Sequence, residues 1–319
     1  MEPMRVFVAG ATGALGLPLV RALVARGHHV VGMTRSPSKR DTIARLGAEP
    51  VVADALDGKQ VETAVRASRP THVVHALTAL PATGPMRISD LRPTDALRTT
   101  GTRNLLHAAV AAGARRIVGE SMVLAYGFGD HGPVPKVESD FLSHEQPRPW
   151  LRPTVDAVRS MEEQMLAANA TGDIEAIPLR YGFFYGPTGA TEYILRMLRR
   201  RRMPTIRGIQ GAWPYIHMHD AVAAAIAALE QGVPGEVYNV VDDEPVSFNE
   251  FLLRAAASIG APPPRSVPLG VVRLLAPYVA YSVSTRLAVC NAKAKRALGW
   301  SLQFPTTREG LAALEGAGG

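Results

Sequence analysis

A short apolar strand pattern, Met4–Ala9, runs directly into GATGALG, and the chain then continues as a helical pattern, Ala14–Arg26, with Leu15, Leu19 and Leu23 on one face. That junction constrains the chain more than any other feature. A glycine at the strand end permits a tight turn, a second lets backbone approach a pyrophosphate, and a third lets helix and strand pack closely. The helix start then offers unpaired N–H groups and a partial positive charge to phosphates. Gly10, Thr12, Gly13, Ala14, Leu15 and Gly16 are therefore expected to hold a dinucleotide. The plain alternative is a glycine-rich turn with no ligand.

The rest of the first half repeats the alternation. Strand patterns at His29–Thr34, Pro50–Ala53, His72–Ala76 and Arg116–Ser121 are separated by helical ones, including Gly58–Ala67 and a long alanine-rich helix, Thr94–Ala112. Strands alternating with helices of this length make βαβ units, and the right-handed crossover rule leaves a doubly wound parallel sheet as the economical α/β topology. After Ser121 the rhythm breaks into a proline-rich stretch, Gly127–Pro153, of a length that is usually functional or disordered. Helices are then expected at Thr154–Ala168, Thr191–Arg202, Ala221–Glu230 and Phe248–Ile259, with strands at Glu175–Arg180 and Glu236–Val241.

The end of the second strand bears on which dinucleotide binds. A carboxylate there would accept the ribose 2′-hydroxyl and repel a 2′-phosphate. The sequence instead reads MTRSPSKR, placing Arg35, Ser36 and Lys39 at that edge, with Arg40 beyond. A guanidinium fork suits a phosphate, so NADP(H) is favoured over NAD(H); a solvated basic turn is the alternative. Asp54, at the end of the third strand, is placed to meet the adenine amino group or to cap the next helix. Ala76, ending the fourth strand, is counted with the cofactor residues.

Composition narrows the class. Hydrophobic residues are 47% and charged residues 20%, enough apolar surface for a real core, and Cys290 is the one cysteine, which excludes an internal disulfide framework. The net charge of +7 comes from 35 Lys and Arg, only five of them lysine, against 28 Asp and Glu. The basic run Arg199–Arg202 follows an amphipathic helix. With 6% aromatic residues and no reading motif it is expected to be a solvated helix end, and no nucleic-acid partner is expected. The N-terminus lacks the features of a secretory leader, and Arg273, Pro277 and Arg286 interrupt the apolar stretch Leu269–Val289. No membrane span is expected and a cytoplasmic location is the default.

GATGALG resembles the loop of the extended short-chain dehydrogenase/reductases, the NAD-dependent epimerase/dehydratase group. Further matches run through the chain: ESMVLAYG, LRYGFFYGP (on Arg180, Gly182, Tyr185, Gly186 and Pro187), YIHMHDAVAAAIAAL (His217 and Asp220), GEVYNVVDDEPVSFNEF and NAKAKRALGW. The resemblance implies an NAD(P)-binding Rossmann domain, residues 1–180 plus 213–241, and a smaller C-terminal α+β substrate lobe, 181–212 plus 242–319. It also implies a homodimer through the Thr94–Ala112 and Thr154–Ala168 helices.

The departures carry the functional question. The family's chemistry rests on a Tyr-x-x-x-Lys pair, the lysine holding the nicotinamide ribose and lowering the tyrosine pKa, and on a serine or threonine. Matching TVDAVRSMEEQM places Val155 at the tyrosine and Arg159 at the lysine; Met122, beside Ser121, stands at the serine. The chain thus resembles atypical members of the family. The expectation is an NADP(H)-dependent reductase acting on a carbonyl or conjugated double bond of a small, rather apolar molecule. A redox-neutral isomerase, cyclase or lyase, or a non-enzymatic NADP(H)-binding regulator, are the alternatives. Arg159 is the expected ribose holder. Tyr126 and Tyr185 are the first replacement proton donors, against plain packing roles. Ser121, Met122, Val155, Tyr181, Phe183 and His217 are the candidate pocket. His131 and His144, in the proline-rich loop, are candidate lid acids or simply exposed. His217 and His219 alternate on an expected strand and with Asp220 mimic a metal cluster, but the resemblance assigns His217 to lobe structure or substrate contact and Asp220 to a helix start, so no metal is expected.

Overall fold

A computed structural model describes residues 2–81, 83–142 and 145–314 of the chain. Its strands are β1 (Arg5–Ala9), β2 (His29–Thr34), β3 (Glu49–Val52), β4 (His72–His75), β5 (Arg116–Met122), β6 (Glu175–Tyr181), β7 (Phe183–Tyr185), β8 (Thr205–Arg207), β9 (Tyr215–His217), β10 (Tyr238–Val240) and β11 (Ser266–Pro268). Seven of them form one parallel sheet in the order β10-β6-β5-β4-β1-β2-β3. The order reverses between β1 and β4, and the crevice at the carboxyl ends there is where open α/β sheets bind ligands.

The helices are α1 (Gly16–Ala25), α2 (Arg40–Ala44), α3 (Gly58–Ser68), α4 (Arg92–Ala96), α5 (Thr102–Ala111), α6 (Arg152–Ala170), α7 (Gly189–Arg199), α8 (Met218–Gln231), α9 (Phe248–Ser258), α10 (Leu269–Leu275), α11 (Pro277–Ser284), α12 (Ala292–Ala297) and α13 (Thr307–Ala312). The strands are apolar on both faces because both are covered. Leu19 and Leu23 of α1 and Ala221 and Ala225 of α8 bury one face with Val6, Val8, Val74 and Val118. Val65 of α3, Leu105 of α5 and Met161 of α6 bury the other with Phe7, Val73 and Ile117. A third cluster joins Val123–Tyr126 and Val155 to Trp213, Phe251 and Tyr278, so the cleft side of the sheet and the lobe share a core.

Three expectations need correction. The helix expected over Thr94–Ala112 is instead α4, a wider π turn at Leu97–Gly101, and α5. Thr99 and Thr102 donate their hydroxyls back to the carbonyls of Asp95 (3.0 Å) and Arg98 (2.6 Å), the local competition that bends a helix at threonine. The proline-rich stretch is not a free lid, since it is laced to the lobe: His131 N–H donates to Arg286 O (3.0 Å), Lys136 N–H to Ala288 O (2.8 Å) and Cys290 N–H to Lys136 O (2.8 Å). His217 and His219 do not share a strand, because β9 ends at His217 and His219 is in the first turn of α8. No group of three or more metal-ligating side chains and no membrane-crossing helix occurs among the described residues.

Candidate functional site

The glycine loop is built by excluded volume. Gly10 has φ +90°, and a Cβ there would lie 2.1 Å from Ala76 O; a Cβ on Gly16 would lie 2.1 Å from Gly10 O. Side chains at 10 or 16 would therefore push β1, β4 and α1 apart. Gly13 N–H closes the turn on Gly10 O (2.9 Å), while Thr12, Ala14 and Leu15 N–H have no acceptor among the described residues. Helix α1 has no side-chain cap and no acidic residue in its first turn. Its positive end is thus open to an anion, and the loop fits a dinucleotide pyrophosphate. At the end of β2 the hydroxyls of Thr34 and Thr12 meet at 3.3 Å and Ser36 N–H donates to Thr34 Oγ1 (3.2 Å), leaving Arg35 and Lys39 exposed at the rim. Asp54 does not cap α3, which is capped by Asp57 accepting from Lys59 and Gln60 N–H (3.0 and 3.1 Å). Asp54 Oδ1 instead accepts from Leu56 N–H (3.0 Å).

The opposite end of the crevice is built from side chains. Ser121 points to α6, where its hydroxyl bonds the Glu162 carboxylate. Arg180 grips the same carboxylate through Nε (2.9 Å) and Nη2 (2.7 Å), and all three residues are buried. Val155, fully buried, and half-buried Met122 line the same region in apolar packing. Arg159 is 4% exposed, and its Nε donates to Ala125 O (2.9 Å), anchoring the Val123–Tyr126 turn.

A family model of the NAD dependent epimerase/dehydratase family matches residues 6–240. The chain belongs to that family. It is 41% identical over 97% of its length, and 99% of the other's, to a 3-diazoavenalumate denitrifying reductase of a Streptomyces species. It is 28% identical, over 99% of its length and 97% of the other's, to a 4-hydroxy-2-methyl-3-oxo-4-farnesyl-3,4-dihydroquinoline-1-oxide ketoreductase of Stigmatella aurantiaca. In fold it is similar to the UDP-glucose 4-epimerase of Thermotoga maritima, with TM-score 0.78, 20% identity and 96% of each chain covered. It is likewise similar to the NAD complex of the Thermus thermophilus UDP-glucose 4-epimerase, with TM-score 0.74, 24% identity, and 98% and 100% covered. An NAD(P)-binding Rossmann domain and a reductase of this family follow.

For a member of this family, the sequence-chosen proton donors are in the wrong surroundings. The Tyr126 hydroxyl is buried between Val137 O (3.0 Å) and Asn239 Oδ1 (3.1 Å), under the Arg180 guanidinium, and burial raises its pKa. The Tyr185 hydroxyl donates to Thr306 O (3.0 Å), and burial raises its pKa far above the usual phenol range. Tyr181 donates to Ala221 O (3.2 Å) on the α8 side of the sheet. Both hydroxyls are thus hydrogen-bonded within the protein in this structure.

The pocket candidates divide similarly. His217 caps α8, its Nδ1 accepting from His219 N–H (3.2 Å), and burial lowers its pKa to about 4. Asp220 fastens the C-terminal segment to α8, accepting from Gln303 and Phe304 N–H (2.8 and 2.9 Å). Phe183 stacks edge-on with Trp213 at 4.8 Å. His131 sits 3.1 Å from Gly127 O, and burial lowers its pKa; His144 lies outside the described residues.

Arg98, fully buried on the π turn, and Glu120 on β5 are not among the residues the sequence pointed to. Burial raises the Glu120 pKa to about 7, with the Arg98 charge opposing. Nothing in the sequence sets Arg98 apart from the other polar residues of its helix pattern, such as Asp95, Arg103 and Asn104.

Proposed function

We propose that this chain is an NADPH-dependent reductase that delivers hydride to a small, conjugated, largely apolar molecule at a diazo or diazonium function. Support comes from an intact cofactor loop facing a site that lacks a positioned acid. Arg35, Ser36 and Lys39 at the β2 rim would hold the 2′-phosphate, with Gly10 to Gly16 on the pyrophosphate. When bound, NADPH supplies a hydride. Half-buried Met122, backed by buried Val155, gives the acceptor an apolar surface, and Arg159 holds the turn that carries Tyr126.

The reading is carried by the hydrogen bonds that hold Tyr126 and Tyr185 elsewhere, together with the resemblance that puts Met122, Val155 and Arg159 at the family's serine, tyrosine and lysine. A general acid contributes about 10²–10⁴-fold in rate. A diazonium group needs none: hydride adds, the new C–H bond takes the hydride pair, and dinitrogen leaves with the C–N pair. The diazo-reducing relative points the same way. The second reading, a carbonyl or conjugated double bond, has the ketoreductase relative behind it. It requires a proton that neither Tyr126 nor Tyr185 is placed to give.

NADPH deuterated at the transferable position, mixed with an arenediazonium salt and a panel of ketones and enones, tests this. Deuterium in the arene with release of dinitrogen is expected. Label in an alcohol or saturated product selects the second reading. Turnover without label supports a redox-neutral enzyme, and tight NADPH binding without turnover supports a regulator; either sinks the proposal.

A further inference from the structure

Arg98 is 2% exposed, and its Nε and Nη2 have no hydrogen-bond acceptor among the described residues. A guanidinium does not shed its proton, so a buried one without partners is costly and calls for an explanation. Two acids act on it: Glu120 on β5, 8% exposed, and Asp95 on α4. Neither forms an ion pair with it: Asp95 Oδ2 accepts from the Thr154 hydroxyl at 2.9 Å, and Asp95 Oδ1 is buried without a hydrogen bond. From the lobe, Tyr278 on α11 is close enough to be influenced by the Arg98 charge, and its ring packs edge-on to Phe128 at 6.3 Å. Arg98 therefore lies where β5 and the lobe meet, on a π turn, a helix distortion frequent at functional sites.

The two carboxylates near Arg98 leave its Nε and Nη2 unbonded. Nε and Nη2 form the edge of the guanidinium that meets a carboxylate with two parallel bonds. We infer that Arg98 is the carboxylate receptor of the substrate pocket, its Nε–Nη2 edge gripping an acid group on the substrate while the Tyr278 hydroxyl adds a donor from the lobe. The inference rests on the reductase reading and makes its substrate an anion: an acid tail at Arg98, a conjugated body over Met122 and Val155. A carboxylate held there would sit beside Glu120, which also faces Tyr181 on β6, while Arg98 itself faces Asp95, Tyr278 and His75 on β4. A second anion favours the protonated form of Glu120, whose pKa lies at about 7, so binding takes up a proton and weakens as pH rises through that value.

Calorimetric titration of 4-hydroxycinnamate and of its methyl ester into the NADP+ complex of the full chain tests this without turnover. The acid is expected to bind at least about 30-fold tighter than the ester, with proton uptake near pH 7 in buffers of different ionisation enthalpy. Arg98→Met should bring the acid down to the ester's affinity while NADP+ binding stays unchanged. Tyr278→Phe, a milder change should Arg98→Met fail to fold, should cut only the acid's affinity, several-fold. Equal affinities for acid and ester, binding of neither, or an acid preference that survives in the variants would overturn the inference. Failure of the reductase reading shows separately, as absence of deuterium transfer.

Discussion

The two ends of the crevice are made of different material. At the β1–α1 turn the site is backbone, with an uncapped start to α1 and glycines where a Cβ would strike Ala76 O or Gly10 O. At the ends of β5 and α6 it is side chains: Ser121 on Glu162, Glu162 on Arg180, and Val155 and Met122 in apolar packing. A site made of backbone cannot change without deforming the sheet. A site made of side chains can be rewritten residue by residue on an unaltered fold, and the resemblance implies such a change at Met122, Val155 and Arg159.

The sharpest way to break this contrast is Gly10→Val. The new side chain must displace β4 backbone from a glycine at φ +90°, so NADPH affinity should fall more than about 100-fold, or the chain should fail to fold. NADPH fluorescence titration reads it; near-normal binding would show that the loop is not the cofactor site.

Next in size is Arg180→Met. It strands the Glu162 carboxylate in the interior beside Ser121, and breaking such a pair costs about 3–5 kcal/mol. Urea denaturation measures this, and a loss below about 1 kcal/mol would mean the pair adds little. NADPH binding by the folded fraction should persist, because the two ends are built independently.

How legible each end was follows from the same difference. GATGALG was readable because strand, glycine spacing and helix are local in sequence, and most strands fell within a residue or two of expectation. The helix expected at Thr94–Ala112 is present, but the π turn at Leu97–Gly101 within it was not legible, because alanine content hid threonines that bond back to the chain. Tyr126 and Tyr185 were nominated by position along the chain, but their bonds to Asn239 and Thr306 span more than a hundred residues and are set by the lobe. Arg98 carried no motif, and only the fold brings Glu120 and Tyr278 to it.

A smaller effect sharpens the comparison at the cofactor end. Arg35→Asp replaces an exposed fork at the β2 rim with a carboxylate that suits a 2′-hydroxyl. NADPH affinity should drop about 10–100-fold relative to NADH, judged by the ratio of the two dissociation constants. Equal losses for both would remove the NADP preference while leaving the loop in place.

The smallest effect concerns the side-chain end and is a pH dependence. Burial raises the Glu120 pKa from an ordinary 4.5 to about 7 in the folded chain. The folded state therefore holds the proton more tightly than the unfolded one. Its contribution to stability is fully present below about 4.5 and is lost as pH rises through about 7. His217 runs the other way: burial lowers its pKa from 6.5 to about 4, so its contribution is present above 6.5 and is lost as pH falls through about 4. Glu120→Gln should accordingly reduce the decline in unfolding free energy between about pH 5 and 7, leaving the part due to Asp242, which burial raises to about 8, and leaving the acid-side loss that His217 shares with His72 and His75. Denaturation curves at a series of pH values decide it. If wild type and Glu120→Gln decline in parallel through that window, Glu120 is ionised in the folded chain, and the proton uptake assigned to a carboxylate at Arg98 loses its source.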